Sequence, residues 1–261
     1  MKVLVTFAVS AEFAPWRRMA GFSRFQLNLP SVQSPSSCKL YRAEIADSEV
    51  FVVLTEMGSE SARRATNYAL GLAPEICISS GLAGGLRPDY ACADIVVAGR
   101  VTQFGGENLS LASSPKLVET AVTCGARRAQ RFLTVSEVVI HKSVKQAMSE
   151  IGDAVEMESL GVLVAAQAAR VPAVAIRAIS DPVHKDMPID FNQVLDRGGK
   201  VRPKTLLREI VNQPAAIPGL LGFARDAHRA AVSLAKFLDR YVRLLDEFDD
   251  AAKATALAAT A

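Results

Sequence analysis

Residues 173–181 read AVAIRAISD, an apolar and β-branched run that is typical of a strand buried on both faces of a sheet. The run ends on Asp181. A second stretch, DAVEMESL at 153–160, places Glu156 and Glu158 on either side of Met157, at the start of a helical pattern over 157–170. Ligands of open α/β sheets bind at the carboxyl ends of the strands, so these acidic side chains are candidate site residues.

Short apolar runs and helical patterns alternate along most of the chain. The alternation predicts the α/β class, with a sheet covered by helices on both faces. Strands are predicted at 2–9, 39–46, 50–55, 75–80, 94–101, 131–135 and 173–179. Helices are predicted at 59–71, 115–123, 141–149 and 157–170.

The last part of the chain has a different pattern. From Ile217 to Phe248 the apolar residues recur at helical spacing and form one broad face. We therefore predict one α/β domain over 1–215 and a C-terminal helical extension over 216–261 that packs on it. The low-complexity end, residues 250–261, is expected to fray.

The composition excludes several classes of protein. The chain has 261 residues with 30 basic and 27 acidic side chains, and its net charge is +3. The basic residues are scattered, without the clustered stripe that nucleic acid requires, so no nucleic-acid partner is expected. No window approaches the roughly 20 apolar residues of a membrane span, so no integral membrane segment is expected.

Cysteine and histidine usage bears on the cellular location and on metal binding. The four cysteines lack C-x-x-C spacing, and two of them lie in apolar runs where a reduced thiol is usual, which predicts a cytoplasmic location. The three histidines show no H-E-x-x-H spacing, so no metal site is expected.

A glycine cluster follows one of the predicted strands. The stretch SSGLAGGLRPDYACADIVV at 79–97 places Gly81 and Gly84 where backbone N–H groups can approach a ligand, although a tight turn between strands would also explain them. A dinucleotide-binding oxidoreductase would carry G-x-G-x-x-G in the first strand–helix turn. That turn reads FAVSAE at 7–12, without glycine, which disfavours that class and its cofactor.

The carboxylates suit the cleavage of a purine–ribose bond. Glu12, the Glu156–Glu158 pair and Asp181 lie at or just beyond the carboxyl ends of predicted strands. An acid near N7 of the base can donate a proton to the leaving group, and a further carboxylate can activate the attacking water. The ribose hydroxyls need a bidentate acceptor, and the less polar face of the sugar needs an apolar wall such as Met157. The stretch 153–160 offers both. Each carboxylate alone could equally be a helix cap or a surface charge; the combination favours a site.

Three motifs together resemble one known superfamily. AVEMES at 154–159, AIRAISD at 175–181 and SSGLAGGL at 79–86, together with a first strand leading to Glu12, are similar to the nucleoside phosphorylases and nucleosidases. The 5'-methylthioadenosine/S-adenosylhomocysteine nucleosidases are especially similar. The resemblance implies a three-layer α/β/α sandwich around a mixed central β-sheet, a homodimer or higher homo-oligomer, a small-molecule nucleoside as substrate, and no cofactor.

The same resemblance implies roles for individual residues. Glu12 would activate the water and Asp181 would protonate the base, supported by Ser180. Met157 and Glu158 would hold the ribose, with Glu156 as a neighbour in that part of the site. The remaining substrate-binding residues would be Gly81, Ala83 and Gly84 of the glycine cluster, and Val138 and Val139 of the segment that faces the base.

Two positions depart from the superfamily's usual pattern. Leu82 stands where the nucleosidases typically have serine, and the pair Val138–Val139 stands where an aromatic residue is common. The stretch 207–238 is similar to a hopanoid-associated branch of the superfamily, whose members are thought to release adenine from adenosylhopane. The resemblance therefore leaves the 5' group of the nucleoside open.

The nucleophile is predicted to be water. A phosphorylase holds a phosphate dianion with arginine and backbone N–H donors, often after a glycine in the first loop. The loop at 8–10 reads AVS, and the strand EICISSG at 75–81 contains no arginine. A phosphate-dependent purine nucleoside phosphorylase and a non-catalytic nucleoside-binding protein on the same fold remain as alternatives.

Overall fold

The computed structural model describes residues 1–27, 38–106, 109–194 and 216–258, together with residues 196, 202, 205 and 208, and it describes side chains up to residue 247. In these ranges the strands are β1 (Lys2–Phe7), β2 (Ser23–Phe25), β3 (Lys39–Ile45), β4 (Ser48–Leu54), β5 (Ile76–Gly85), β6 (Ile95–Gln103), β7 (Ser110–Ala112), β8 (Arg127–Thr134), β9 (Ala154–Glu156) and β10 (Ala173–Asp181). The helices are α1 (Ser10–Ala20), α2 (Ser59–Ala69), α3 (Pro115–Thr123), α4 (Lys142–Met148), α5 (Ser159–Ala168), α6 (Phe191–Val194) and α7 (Ile217–Ala258).

The strands form one mixed sheet in the order β10-β6-β8-β9-β5-β1-β4-β3-β2, with β7 on β6. Strand β5 pairs in parallel with both β1 and β10, and β6 pairs antiparallel with β10. Because β5 also pairs with β9, the strands β5, β9, β8, β6 and β10 close into a ring. The carboxyl ends of β5, β9 and β10 therefore lie near one another.

Helices cover both faces of this sheet. On one face α1, α3 and α7 share a core cluster with the strands, to which Trp16, Leu117 and Leu238 contribute. On the other face α2 and α5 pack on β1, β4 and β5, and Tyr68 and Val162 are among the buried residues. The predicted three-layer sandwich around a mixed sheet is confirmed.

The secondary structure follows the sequence prediction except near the start of the chain and in three short strands. The strand predicted at 2–9 ends at Phe7, and an unpredicted helix, α1, begins at Ser10. Glu12 lies in its first turn, where its Oε2 atom accepts the Val9 N–H at 3.4 Å and so caps the helix. Pro15 inside α1 conceals the helix in the sequence, since proline is disfavoured in helix interiors. The short strands β2, β7 and β9 were not predicted either.

A close helix–helix contact fixes the surroundings of Glu158. A Cβ atom at Gly161 in α5 would lie 1.9 Å from the Ser59 carbonyl oxygen, so only glycine lets α5 approach the start of α2 this closely. The contact brings the Gly58 N–H to within 2.9 Å of Glu158 Oε1.

The long helix α7 has two parts. Its first turns face a cavity, and Leu234 and Leu245 lie in the core with β1. Near its far end Asp246 accepts a hydrogen bond from the Ser48 hydroxyl at 2.5 Å and lies 3.7 Å from the N-terminal amine of Met1. The helix reaches Ala258, and residues 259–261 of the end predicted to fray lie outside the described residues. None of the helices in the described part of the chain combines the length and apolar character of a membrane-crossing segment.

Candidate active site

A cavity of about 750 Å³ opens at the carboxyl ends of β5, β9 and β10. It brings together side chains from strands, helices and loops that are far apart in sequence. Every predicted site residue except Gly81 lines it: Glu12, Ala83, Gly84, Val138, Val139, Glu156, Met157, Glu158, Ser180 and Asp181.

Glu12 is held at the edge of the cavity by two backbone donors. Its Oε1 atom accepts the Leu82 N–H at 3.0 Å, in addition to the Val9 N–H on Oε2. Burial of the side chain raises the pKa of Glu12, and the two N–H groups and the charge of Arg177 only partly oppose this effect. A carboxyl group with a raised pKa is a stronger base than an ordinary glutamate.

Gly81 lies behind Glu12 rather than on the cavity wall. Its φ of +148° is a conformation that other residues rarely adopt, and a Cβ atom there would lie 3.2 Å from Glu12 Oε1. Glycine thus leaves space for the carboxylate. The residue that departs from the nucleosidase pattern, Leu82, contributes its backbone N–H to Glu12, and this contact does not depend on its side chain.

Glu156 and Arg177 form a buried ion pair beneath the cavity. Arg177 Nη2 lies 2.6 Å from Glu156 Oε2, and both side chains are buried. Glu156 Oε2 also accepts the N–H groups of Glu158 at 2.9 Å and Ser159 at 2.7 Å, while its Oε1 atom accepts the Thr134 hydroxyl. With both oxygens engaged by the protein, Glu156 fixes the start of α5 and the backbone of Glu158.

Glu158 has one oxygen that is available to a ligand. Its Oε1 atom accepts the Gly58 N–H, whereas its Oε2 atom lies 3.9 Å from Arg177 Nη2, beyond hydrogen-bond distance. Burial, and then the neighbouring negative charge of Glu156, raise the pKa of Glu158. A carboxyl group in this position can accept hydrogen bonds from hydroxyl groups in the cavity.

Asp181 ends β10 and is buried at the other side of the cavity. Its Oδ1 atom accepts the Ser180 hydroxyl at 2.6 Å, and its Oδ2 atom accepts a hydrogen bond from Lys145 Nζ. Gly84 lies beside it, so a Cβ atom there would be 3.1 Å from Asp181 Oδ2. Ser180 thus supports Asp181 as expected, and Lys145 is an additional partner that the sequence did not reveal.

Apart from His228, the part of the cavity wall formed by the loop after β10, α6 and α7 is apolar. Phe191 of α6 and Phe223 of α7 pack with their ring centroids 4.9 Å apart. Leu221 is 69% exposed and lies at the mouth. The other apolar residues of this wall come from the loop after β10, from α6 and from α7: Met187, Ile189, Val194, Ile217, Leu220, Ala224, Ala227 and Ala231.

The segment predicted to face the base is tied to α6. The Val138 N–H donates to Asn192 Oδ1 at 2.8 Å, and Asn192 Nδ2 donates to the Val138 carbonyl at 3.0 Å. Val138 and Val139 both line the cavity. Within the described residues of the wall, Phe191 and Phe223 carry the aromatic carbon rings, so an aromatic contact would come from α6 and α7.

Glu158 gives a prediction about stability. A carboxyl group whose pKa is raised by folding binds more protons in the native state than in the unfolded state, so it lowers stability as pH rises above its ordinary value of 4.5. Glu158→Gln should therefore raise the melting temperature at about pH 8 by a few degrees, since about 1 kcal/mol corresponds to about 2–4 °C at this chain length. The gain should shrink as the pH is lowered towards 4.5.

The matched control is Glu60→Gln in the first turn of α2. Glu60 is exposed, and its hydrogen bond with Arg63 lowers its pKa, so this variant should show no gain at high pH. Differential scanning fluorimetry over the pH range measures both variants. An unchanged or lower melting temperature for Glu158→Gln at about pH 8 would contradict the expected cost of burying this charge.

Comparison with known proteins identifies the family to which this chain belongs. A sequence model of the Phosphorylase superfamily matches residues 2–212. The 5'-methylthioadenosine/S-adenosylhomocysteine nucleosidase of Aeromonas salmonicida is 25% identical over 232 residues, which cover 80% of this chain and 98% of the relative. The nucleosidase of the same name from Haemophilus ducreyi is 29% identical over 191 residues, covering 63% of this chain and 81% of the relative.

Solved structures show the same fold. The 5'-methylthioadenosine/S-adenosylhomocysteine nucleosidase of Helicobacter pylori, in complex with butyl-thio-DADMe-Immucillin-A, aligns with a TM-score of 0.70 at 19% identity over 93% of this chain and 98% of that one. The futalosine hydrolase of Helicobacter pylori aligns with a TM-score of 0.70 at 19% identity over 93% of this chain and 97% of that one. The matched sequence model spans most of the chain, and we conclude that this protein belongs to the phosphorylase superfamily.

Proposed function

We propose that this protein is an enzyme that hydrolyses the N-ribosidic bond of a purine nucleoside with an apolar 5' group and releases adenine. The observation that carries this proposal is the meeting of Glu12, Glu158 and Asp181 around one cavity. The sequence similarity to two 5'-methylthioadenosine/S-adenosylhomocysteine nucleosidases also supports this proposal.

The three carboxylates divide the reaction between them. Asp181 delivers a proton to N7 of the base, so that the base leaves without a full negative charge. Glu12 accepts the proton of the attacking water, and its raised pKa suits that task. Glu158 accepts hydrogen bonds from the ribose hydroxyls through its available oxygen, and the negative charges stabilise the positive charge that develops on the sugar.

Water is favoured over phosphate as the nucleophile. A phosphate dianion needs cationic and N–H donors beside the ribose. In the described wall of the cavity no arginine is present, and the Lys145 ammonium group is already engaged by Asp181. The nearby Arg177 binds Glu156, and Arg63 binds Glu60 at 2.9 Å on α2.

The apolar wall favours a nucleoside with an apolar 5' group. Apolar side chains of α6 and α7 line the cavity as far as its mouth, and they would gain little from a free 5'-hydroxyl group. Transferring apolar surface from water to such a wall is worth about 25 cal/mol per Å². A 5'-alkylthio group or a longer hydrocarbon tail, such as that of adenosylhopane, would use this wall.

The test is the release of adenine or hypoxanthine from four nucleosides: methylthioadenosine, adenosylhomocysteine, inosine and an adenosine with a long 5'-alkyl chain. Each is incubated with the purified protein with and without phosphate, and the free base is measured by chromatography. We expect adenine release without phosphate, with kcat/KM increasing with the apolar area of the 5' group.

Three results would count against the proposal. A strict requirement for phosphate would make the protein a phosphorylase. Binding of nucleosides without release of base would make it a binding protein. A preference for inosine over all 5'-modified adenosines would contradict the role of the apolar wall.

A further inference from the structure

Lys145 is a buried cation that takes no part in the reaction steps assigned to Glu12, Glu158 and Asp181. Its side chain is completely buried, although it belongs to the short helix α4 on the outer part of the fold. Its Nζ atom donates to Asp181 Oδ2 and to the Lys185 carbonyl oxygen, the latter at 3.1 Å. Burying an ammonium group carries a large desolvation cost that its partners must offset, so packing alone does not explain this residue.

The pair changes what Asp181 can do. An aspartate in water is ionised at neutral pH and has no proton to give. In this structure both of its oxygens accept hydrogen bonds, from Ser180 and from Lys145, as an ionised carboxylate does. A proton for the leaving base must therefore reach Asp181 from a neighbour or from solvent, and of its two partners only the positively charged ammonium group becomes neutral when it gives up a proton.

We propose that Lys145 holds the proton that Asp181 passes to the leaving base. This inference rests on the proposed function and assigns a residue that acts through Asp181 rather than on the substrate. Cleavage of the C1'–N9 bond sends its electron pair to N9. The Asp181 carboxyl group gives a proton to N7 and takes one from Lys145 Nζ.

The proton balance closes within the site. Asp181 ends as a carboxylate and Lys145 as a neutral amine, while water forms the new C1'–O bond and gives its proton to Glu12. Exchange with solvent then returns one proton from Glu12 to Lys145. No oxidant, reductant or further reactant is required.

Other titratable groups surround the Lys145–Asp181 pair. Asp226 binds the Lys185 ammonium group at 2.8 Å, and Asp186 accepts the Lys142 N–H at 2.7 Å. Lys185 and Asp186, two charged residues of the loop after β10, are therefore each bound to a partner other than Asp181. The groups on α4, on that loop, on α7 and across the cavity include His141, Lys142, His184, Lys185, Asp186, Asp226, His228, Arg229, Glu12 and Glu158.

The test compares Lys145→Met with Lys145→Arg on two substrates. Methylthioadenosine needs a protonated base, whereas 4-nitrophenyl riboside releases a stable anion that needs no proton. Lys145→Met should lower kcat on methylthioadenosine by about 100-fold with little change in KM, the usual size of a general-acid contribution, and should leave 4-nitrophenyl riboside cleavage within about threefold of wild type. Lys145→Arg keeps the positive charge but not a transferable proton, so it should show the same selective loss.

The pH profile supplies a readout that a purely structural role would not change. Wild-type kcat on methylthioadenosine should stay constant from neutral pH into the alkaline range, whereas in Lys145→Met it should fall about tenfold per pH unit there, because Asp181 must take its proton from solvent. Lys142→Met, on the exposed side of the same helix, is the matched control and should behave as wild type.

The possible results distinguish a failure of the proposed function from a failure of the role proposed for Lys145. Wild-type protein that releases no adenine would overturn the proposed function and this inference together. An active wild type with a Lys145→Met variant of unchanged kcat would overturn the inference alone, and so would equal losses on both substrates. Wild-type activity of Lys145→Arg would show that charge suffices and that no proton leaves Lys145. If Lys145→Met does not fold, Lys145→Arg carries the test.

Discussion

Replacement of Asp181 by asparagine is expected to lower kcat for adenine release by about three orders of magnitude, within the range typical of a lost general acid. The asparagine side chain has nearly the same size, but its amide cannot give a proton to N7. It also presents an N–H group or an uncharged oxygen to Lys145, which loses its ionic partner in a buried position. The variant should therefore lose turnover while KM changes little.

Steady-state kinetics and circular dichroism together decide this prediction. The dichroism spectrum shows whether the variant is folded, which matters because the buried ammonium group loses an ion pair. Asp89→Asn is the matched control, since Asp89 is exposed, pairs with Arg127 and does not line the cavity. A folded Asp181→Asn variant with kcat within about tenfold of wild type would rule out Asp181 as the acid.

Glu12→Gln is expected to cause a loss of similar size for a different reason. The carbonyl oxygen of glutamine can still accept the Leu82 N–H, but its NH2 group then faces the Val9 N–H, and the amide cannot take a proton from water. Glu12→Asp keeps the carboxyl group and retracts it by one methylene group. It should therefore retain more activity than Glu12→Gln.

The pH dependence separates this role from a structural one. Burial raises the pKa of Glu12, so the wild-type kcat should fall as the pH drops through a value above 4.5, where the carboxylate becomes protonated. Glu12→Gln should lack this part of the profile, and the exposed control Glu119→Gln should retain it. An acid limb that is unchanged in Glu12→Gln would assign the base to another residue.

Much of the fold could be predicted because the strands are buried on both faces. Runs such as 50–55 and 173–179 are nearly continuous in apolar residues, and each is a strand in the structure. Strand β9 could not be predicted, since three residues carry no periodicity and its existence depends on pairing with β5 and β8. The division at residue 215, the homo-oligomer and the cytoplasmic location stay predictions.

A site residue could be predicted where a carboxylate directly ends an apolar strand. Asp181 closes an apolar run, and the structure places it in the same cavity as Glu12 and Glu158, as the sequence predicts. Lys145 was not predictable, because KSVKQAM contains two lysines and only the tertiary structure makes one exposed and the other buried.

Arg177, a charged residue inside the apolar run of β10, is a feature of the sequence that points to a buried ion pair. A charged residue inside a buried strand requires a partner of opposite charge, and Glu156 was already a candidate site residue. The same reasoning would have assigned Glu156 to the support of the site.

The position of α7 has a consequence for how this protein is made. The helix packs against β1 in one core cluster, and Asp246 near its end binds Ser48 and the N-terminal amine. During translation β1 leaves the ribosome more than 200 residues before the helix that covers it. The nascent chain therefore carries an uncovered apolar sheet face until α7 has been made, and both the core and the cavity wall wait for the same helix.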